Sequence, residues 1–138
     1  MLNRLPVLIV EDEALIALEL AIAVENIKGE VVGPVATVAD ALEALSLTSV
    51  MAAVLDANLL DRDVTPVALA LIEKKIPFVV HSALGLPDDL RAMFPDLPFV
   101  PKPSRPADVV LRLAAEINAG WLAAEREAAA GSEGRASR

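Results

Sequence analysis

The sequence predicts an α/β domain built as a doubly wound parallel sheet with helices on both faces. Short apolar segments of strand length alternate with longer segments rich in Ala and Leu, five of each. This alternation favours a parallel sheet, because each parallel connection needs a crossover, usually a helix. A chain of 138 residues, 55 % of them hydrophobic, has the size and apolar content of one ordinary domain.

The predicted strands are short runs in which apolar residues dominate. Residues 5–10 form the clearest case, because they are apolar throughout apart from a proline at the start, as a strand buried on both faces requires. The other predicted strands cover residues 30–35, 50–55, 77–81 and 99–100.

The predicted helices rest on composition and on signals at their ends. Thr37 and Asp40 match the looser form of a capping box. Ser104 is expected to cap the last helix, with Pro106 near its start. The predicted helices cover residues 12–28, 37–47, 64–75, 87–94 and 104–130.

Domain organisation follows from the same pattern. Residues 1–130 are expected to form the single domain. Residues 131–138, which are small, polar and rich in Gly and Ser, are expected to be a disordered tail. No output domain is expected after the fifth helix.

Composition excludes several functions. The formal net charge of −8 argues against binding to nucleic acid or anionic membranes. The lack of cysteine excludes a disulfide framework, and a single histidine excludes a multi-His metal site within one chain. The longest stretches without Asp, Glu, Lys or Arg have twelve residues, whereas a membrane-spanning helix needs roughly 20 apolar residues. The protein is therefore expected to be cytoplasmic, without membrane insertion.

Polar side chains stand where four of the predicted strands end. Glu11 and Asp12 follow the first strand, Asp56 the third, Ser82 the fourth and Lys102 the fifth. Ligands of doubly wound sheets bind at this edge. The set suits phosphoryl transfer onto a carboxylate, with a divalent cation to offset charge repulsion. An acidic pair after a strand is, on its own, also typical of a solvated loop.

Magnesium is the expected cation, because it prefers oxygen ligands and keeps several waters. Asp12, Asp56 and the backbone carbonyl near Asn58 could supply three oxygens, with Glu11 acting through water. Lys102 would then pair with one phosphoryl oxygen, and the hydroxyl of Ser82 would donate to another.

These motifs resemble the receiver domains of response regulators in two-component signalling. The resemblance covers residues 5–118. It rests on the segments 8–13 and 54–59 and on the pairs Ser82-Ala83 and Lys102-Pro103. It implies a flavodoxin-like (βα)5 fold with strand order 2-1-3-4-5.

The resemblance also implies roles for the residues. Asp56 would be the phosphoacceptor, and Glu11, Asp12 and the Asn58 carbonyl would hold Mg²⁺. Ser82 and Lys102 would contact the phosphoryl group. Phe99 stands at the family's aromatic switch position, and a cis bond is expected between Lys102 and Pro103.

A narrower similarity points to the stand-alone FAT GUY receivers of alphaproteobacteria. It rests on Asn58-Leu59, on Pro66 and on residues 76–80 followed by Gly85. That subfamily has Phe-Ala-Thr-Gly-Tyr where this chain has Val-His-Ser-Ala-Leu at residues 80–84, so the hydroxyl is kept and the aromatic that names the group is replaced.

The function expected is that of a single-domain response regulator, phosphorylated on Asp56 by a histidine kinase or a histidine phosphotransferase. It would signal to a downstream protein partner or act as a phosphate sink, and it would not be an enzyme. A pseudo-receiver interaction module and an Asp-nucleophile phosphatase remain the alternatives. Asn58 counts against the phosphatase, because its amide cannot protonate a leaving group. A homodimer stays open.

Two polar features near the site have more than one interpretation. His81, the single histidine, ends a predicted strand and is expected at a structural or rim position. Asp61 and Asp63 are expected in a solvated loop, with a second cation site as the alternative.

Two helices carry apolar residues that the core does not account for. The first helix is apolar nearly all round, so a partner is expected to dock on it near Leu15 and Leu18. Trp121 is expected either to anchor an interface or to fold over onto the domain's own surface.

Overall fold

The fold is a five-stranded sheet with helices on both faces, given by a computed structural model that describes the backbone of residues 2–136 and the side chains of residues 2–130. All neighbouring strands pair in parallel, in the order β2-β1-β3-β4-β5. The predicted fold class and strand order are thus confirmed. The strands are β1 (Pro6–Val10), β2 (Glu30–Val35), β3 (Ala52–Asp56), β4 (Phe78–Ser82) and β5 (Phe99–Pro101).

One helix follows each strand, as the alternation of the sequence predicts. The helices are α1 (Ala14–Asn26), α2 (Val38–Leu47), α3 (Thr65–Glu73), α4 (Asp88–Met93) and α5 (Pro106–Ala136).

The core has two halves, one on each face of the sheet. Leu8 and Val10 of β1 pack toward α2, α3 and α4, whereas Val7 and Ile9 pack toward α1 and α5. All four side chains are buried. Because both faces of the central strands are covered, these strands are continuously apolar, and their carboxyl ends form the edge at which polar side chains collect.

Helix ends follow the local hydrogen bonding. Thr37 caps α2 as predicted, since its Oγ1 accepts from the Asp40 N–H at 3.0 Å. The expected cap by Ser104 is wrong. Its hydroxyl donates to the Pro101 carbonyl, and the Arg105 carbonyl accepts the first N–H bonds of α5.

The last helix is longer than predicted. It continues from the expected end near Ala130 to Ala136, over residues expected to be tail. The Ala- and Glu-rich run before Gly131 favours helix, and adding residues to an existing helix costs far less than nucleating one. Residues 137–138 of the predicted tail lie outside the described residues. Across the described chain, no helix is both long enough and apolar enough to span a membrane.

Candidate functional site

Three carboxylates meet at the carboxyl ends of β1 and β3. Glu11 and Asp12 directly follow β1, and Asp56 is the last residue of β3, which pairs with β1. One oxygen from each lies within 4.8 Å of the others. Glu11 and Asp56 are buried, with Asp56 only 7 % exposed, and Asp12 is half-buried. The sheet therefore brings together the acidic residues that the sequence singles out.

Lys102 brings a positive charge to this cluster from the end of β5. Its Nζ lies 3.0 Å from Glu11 Oε1 and 3.5 Å from Asp56 Oδ1. Burial acts to lower the pKa of Lys102, but the Glu11 and Asp56 carboxylates outweigh it and raise that pKa above its usual range. The peptide bond between Lys102 and Pro103 is cis, as expected.

The charges in this cluster do not balance. Burial, followed by the closeness of Glu11 and Asp12, raises the pKa of Asp56 from 3.8 to about 8, and Lys102 offsets this only in part. The cluster therefore gains from any further positive charge at this point.

The geometry of the three oxygens fits a divalent cation. In an octahedron with ligands at about 2.1 Å, ligand oxygens lie about 3.0–4.2 Å apart, which is compatible with their mutual spacing here. Carboxylates are hard oxygen donors, as Mg²⁺ prefers. Asn58 lies two residues after Asp56, and its N–H is 3.5 Å from Asp56 Oδ1, so its carbonyl belongs to the same stretch of chain.

Ser82 and Phe99 lie on neighbouring strands at the same edge. Ser82 ends β4 and is buried; its Oγ accepts from the Leu84 N–H at 3.2 Å, which leaves the hydroxyl proton free to donate elsewhere. Phe99 pairs in register with Val80 of β4 and is partly buried against the core half under α2, α3 and α4. Ser82 therefore lies two residues beyond Val80, the β4 residue that pairs with Phe99 of β5.

His81 is part of the floor of the site. It pairs in register with Asp56 and is only 3 % exposed. Burial, reinforced by Lys102, lowers its pKa, so the imidazole is neutral. Neither ring nitrogen has a hydrogen-bond partner among the described residues. Of the two predicted positions, structural or rim, this burial fits the structural one.

The carboxylates of the loop between β3 and α3 bind backbone amides at the starts of two helices. Asp61 Oδ1 accepts from the Val38 N–H at 2.8 Å, and Oδ2 accepts from the Ala39 N–H at 3.1 Å. Asp63 Oδ1 accepts from the Thr65 N–H at 2.9 Å. The loop is solvated as expected, because Asp61 is exposed. In addition, N–H groups without a helical partner at two helix starts donate to these carboxylates.

The capping of α2 by Asp61 is the contact that sequence reasoning missed. Asp61 lies 23 residues after the first amide it binds. No local pattern in the sequence connects residues this far apart. The sequence offered one indication of this contact: Asp61 lies in the loop after β3, and a parallel sheet brings that loop close to the start of α2.

Exposed leucines lie on α1 beside the site. Leu15 is 68 % exposed and Leu18 is 56 % exposed, whereas Leu20 and Val24 are buried. Ala14 at the start of the helix is exposed as well. These apolar side chains are therefore accessible to a partner, and docking on α1 stays a prediction.

Trp121 lies at the opposite end of the sheet from the carboxylates. It is 65 % exposed and lines an open cleft of about 380 Å³ with Met51 and Pro77. This tryptophan takes no part in the carboxylate site.

Comparison with solved structures adds to these observations. The solution structure of SdrG from Sphingomonas melonis Fr1 is 39 % identical to this chain, with a TM-score of 0.70 and a match covering 85 % of this chain and 98 % of SdrG. A response regulator receiver protein from Sinorhizobium medicae WSM419 is 25 % identical, with a TM-score of 0.73 and coverage of 87 % and 99 %. The non-phosphorylated HemR receiver domain from Leptospira biflexa is 25 % identical, with a TM-score of 0.70 and coverage of 82 % and 94 %. Neither the protein-family models nor the curated proteins searched match the chain.

The fold and the site together assign the chain to a structural class. The class is that of doubly wound α/β domains with an acidic centre at the carboxyl edge of the sheet. Together with these structural relatives, the chain belongs to the response-regulator receiver domains.

Proposed function

We propose that the chain accepts a phosphoryl group on Asp56 in a reaction that depends on a divalent cation. The observation that carries the proposal is the position of Asp56, buried between Glu11 and Asp12 and 3.5 Å from the Lys102 ammonium. The oxygens of the Asp56 carboxylate are nucleophilic, the Lys102 ammonium would pair with an incoming phosphoryl oxygen, and the neighbouring carboxylates could hold a divalent cation.

The donor fitting this site is a phosphohistidine on a histidine kinase or a histidine phosphotransferase. An Asp56 carboxylate oxygen attacks phosphorus, and a P–O bond forms as the P–N bond to the donor imidazole breaks. The imidazole nitrogen keeps the electron pair and takes up a proton. The product is an acyl phosphate on Asp56, so the chain is an acceptor rather than an enzyme.

Each charged neighbour has a distinct part in this step. Glu11, Asp12, Asp56 and the Asn58 carbonyl would hold Mg²⁺, which when bound neutralises charge between carboxylate and phosphoryl oxygens. Lys102, now 3.0 Å from Glu11 and 3.5 Å from Asp56, would pair with a phosphoryl oxygen.

The response to phosphorylation would pass through Ser82 and Phe99. The Ser82 hydroxyl has a proton to donate to a phosphoryl oxygen, and moving toward it would loosen its present bond to the Leu84 N–H. Phe99, partly buried beside β4, would then repack inward. The surface that changes would bind a downstream protein partner, or the chain would act as a phosphate sink.

Helix α1 is the proposed docking surface for the donor protein. Leu15 and Leu18 are exposed, and the helix starts three residues after Glu11, beside the entrance to the site. A donor helix that brings its histidine to Asp56 must pass close to these side chains.

The test is phosphorylation by a small-molecule phosphodonor, with the modified residue located by mass spectrometry. We expect one phosphoryl group on Asp56 in the presence of Mg²⁺ and none in excess EDTA. Asp56→Asn should abolish labelling. Asp88→Asn is the matched control, because Asp88 is an exposed carboxylate paired only with Arg91, outside the cluster, and its replacement should leave labelling unchanged. Undiminished labelling of Asp56→Asn would refute the proposal.

A further inference from the structure

The loop between β3 and α3, residues 57–64, starts directly after Asp56 and carries Asn58. Within the loop, the Leu59 N–H donates to the Arg62 carbonyl at 3.0 Å, and the Val64 N–H donates to the Ala57 carbonyl at 2.9 Å. Leu59 is buried in the core. These contacts define the shape of the loop. They do not attach its exposed middle, residues 60–62, to the rest of the domain.

Asp61 provides that attachment with both of its carboxylate oxygens. They accept from the first two amides of α2, at 2.8 Å and 3.1 Å. The Leu60 N–H adds a longer bond, 3.4 Å, to the Ala36 carbonyl just before α2. The helix amides lower the pKa of Asp61, so the carboxylate stays ionised at neutral pH.

Helix α2 has a cap of its own in addition to this contact. Thr37 Oγ1 accepts from the Asp40 N–H at 3.0 Å. Two separate side chains thus serve the same helix start, one from the helix's own N-cap and one from the loop of the carboxylate site. The two can be removed independently.

We infer that Asp61 is a positioning residue for the cation site: by clamping the loop to α2, it holds in place the loop segment that carries Asn58, whose N–H lies 3.5 Å from Asp56 Oδ1. This inference rests on the proposed function, since it assumes that the site binds a divalent cation. Asp61 itself is exposed at the far side of the loop and acts through Asn58, not on the cation.

The experiment compares Asp61→Ala with Thr37→Ala in the full chain. Both changes remove a cap from α2, so both should lower the melting temperature by a similar amount. Mg²⁺ affinity, measured by isothermal titration calorimetry, should fall about tenfold in Asp61→Ala alone, the lower end of the loss seen when groups that orient metal ligands are removed. Thr37→Ala should bind Mg²⁺ as the wild type does.

Charge needs its own control, because Asp61→Ala also removes a negative charge. Asp40→Asn removes an exposed charge from the first turn of α2 without a loop contact, and it should leave Mg²⁺ affinity within twofold. The loss in Asp61→Ala should persist at about 0.3 M KCl, at which long-range charge effects between exposed groups are screened. Asp61→Asn, which keeps one acceptor oxygen, should show an intermediate loss and serves as the test if Asp61→Ala fails to fold.

The outcomes separate the inference from the proposed function. If the wild type does not bind Mg²⁺, or if Asp12→Ala binds it equally well, the proposed function fails. If the wild type binds and Asp12→Ala does not, but the Asp61 variants bind as tightly as the wild type, then the positioning role of Asp61 is overturned. Equal losses in Thr37→Ala and Asp61→Ala would also overturn it, since any loosening of α2 would then suffice.

Discussion

Replacing Asp56 with asparagine removes one of three crowded carboxylates, and we expect the change to stabilise the fold at alkaline pH without divalent cations. At an effective dielectric constant of about 20, two unit charges no more than 4.8 Å apart repel by at least about 3.5 kcal/mol. Ionised Asp56 faces two such repulsions, and the attraction to Lys102 at 3.5 Å returns about 5 kcal/mol. The net repulsion is therefore at least about 2 kcal/mol, and the desolvation of the buried carboxylate adds to it.

The sign of the pH dependence follows from the raised pKa. Because the pKa of Asp56 is about 8 in the folded state and 3.8 when unperturbed, the folded protein holds a proton that the unfolded chain releases. Stability of the wild type should therefore fall as the pH rises from about 4 to about 8 and level off above that range. The asparagine variant lacks this group, so the two proteins should differ least near pH 4 and most at pH 9.

Urea denaturation followed by circular dichroism in EDTA provides the measurement. At pH 9 the free energy of unfolding of Asp56→Asn should exceed that of the wild type by at least about 2 kcal/mol, which corresponds to a rise of about 6 °C or more in melting temperature for a domain of this size. Asp88→Asn should show no such gain. If Asp56→Asn were no more stable than the wild type at pH 9, the account of the site as an electrostatically strained cluster would be refuted.

Three other substitutions test separate parts of the molecule. Leu15→Glu should slow phosphotransfer from a phosphohistidine protein by about tenfold, the loss expected for one partly buried leucine, and leave labelling by a small-molecule donor unchanged; equal losses would place the damage in the site. Lys102→Ala should still be phosphorylated, but it should lose the changes in amide NMR shifts around Phe99 that phosphorylation causes in the wild type. Shift changes as large as those of the wild type would show that Lys102 is not needed for the conformational response. Gly29→Ala places a Cβ 2.6 Å from Val24 Cγ1, so we expect a loss of about 1–3 kcal/mol in urea unfolding with Mg²⁺ affinity unchanged; full stability would show that the contact relaxes freely.

The elements of the fold could be predicted because each is coded locally. Buried strands such as β1 and β3 are continuously apolar, and the Thr37 cap lies three residues from the amide that it binds. The polar residues of the site were found for the same reason, since each lies at the end of a strand or within two residues after it. End positions were less accurate: α1 starts at Ala14 rather than residue 12, because no composition signal separates the acidic loop from the helix.

Contacts between distant segments could not be read from the sequence. The Asp61 carboxylate meets amides of the second helix only after β1, β2 and β3 have paired, so its role depends on tertiary structure alone. The burial of His81 is another case. A histidine at the end of a strand can lie at the exposed rim of a site or be buried beneath it. His81 is buried because β4 lies between β3 and β5 in the sheet, and the sequence does not show this.

The strand order assigns the polar residues of the site to two pairs of neighbouring strands. The carboxylates come from the adjacent strands β1 and β3, while Ser82 and Lys102 come from the adjacent strands β4 and β5. Under the proposed function, the residues that would hold the cation lie between positions 11 and 58, and Ser82 and Lys102, which would contact the phosphoryl group, lie further along the chain. Under the proposed function, substitutions near Ser82 and Lys102 would therefore alter the response to phosphorylation while the carboxylates that accept the phosphoryl group and hold the cation stay unchanged.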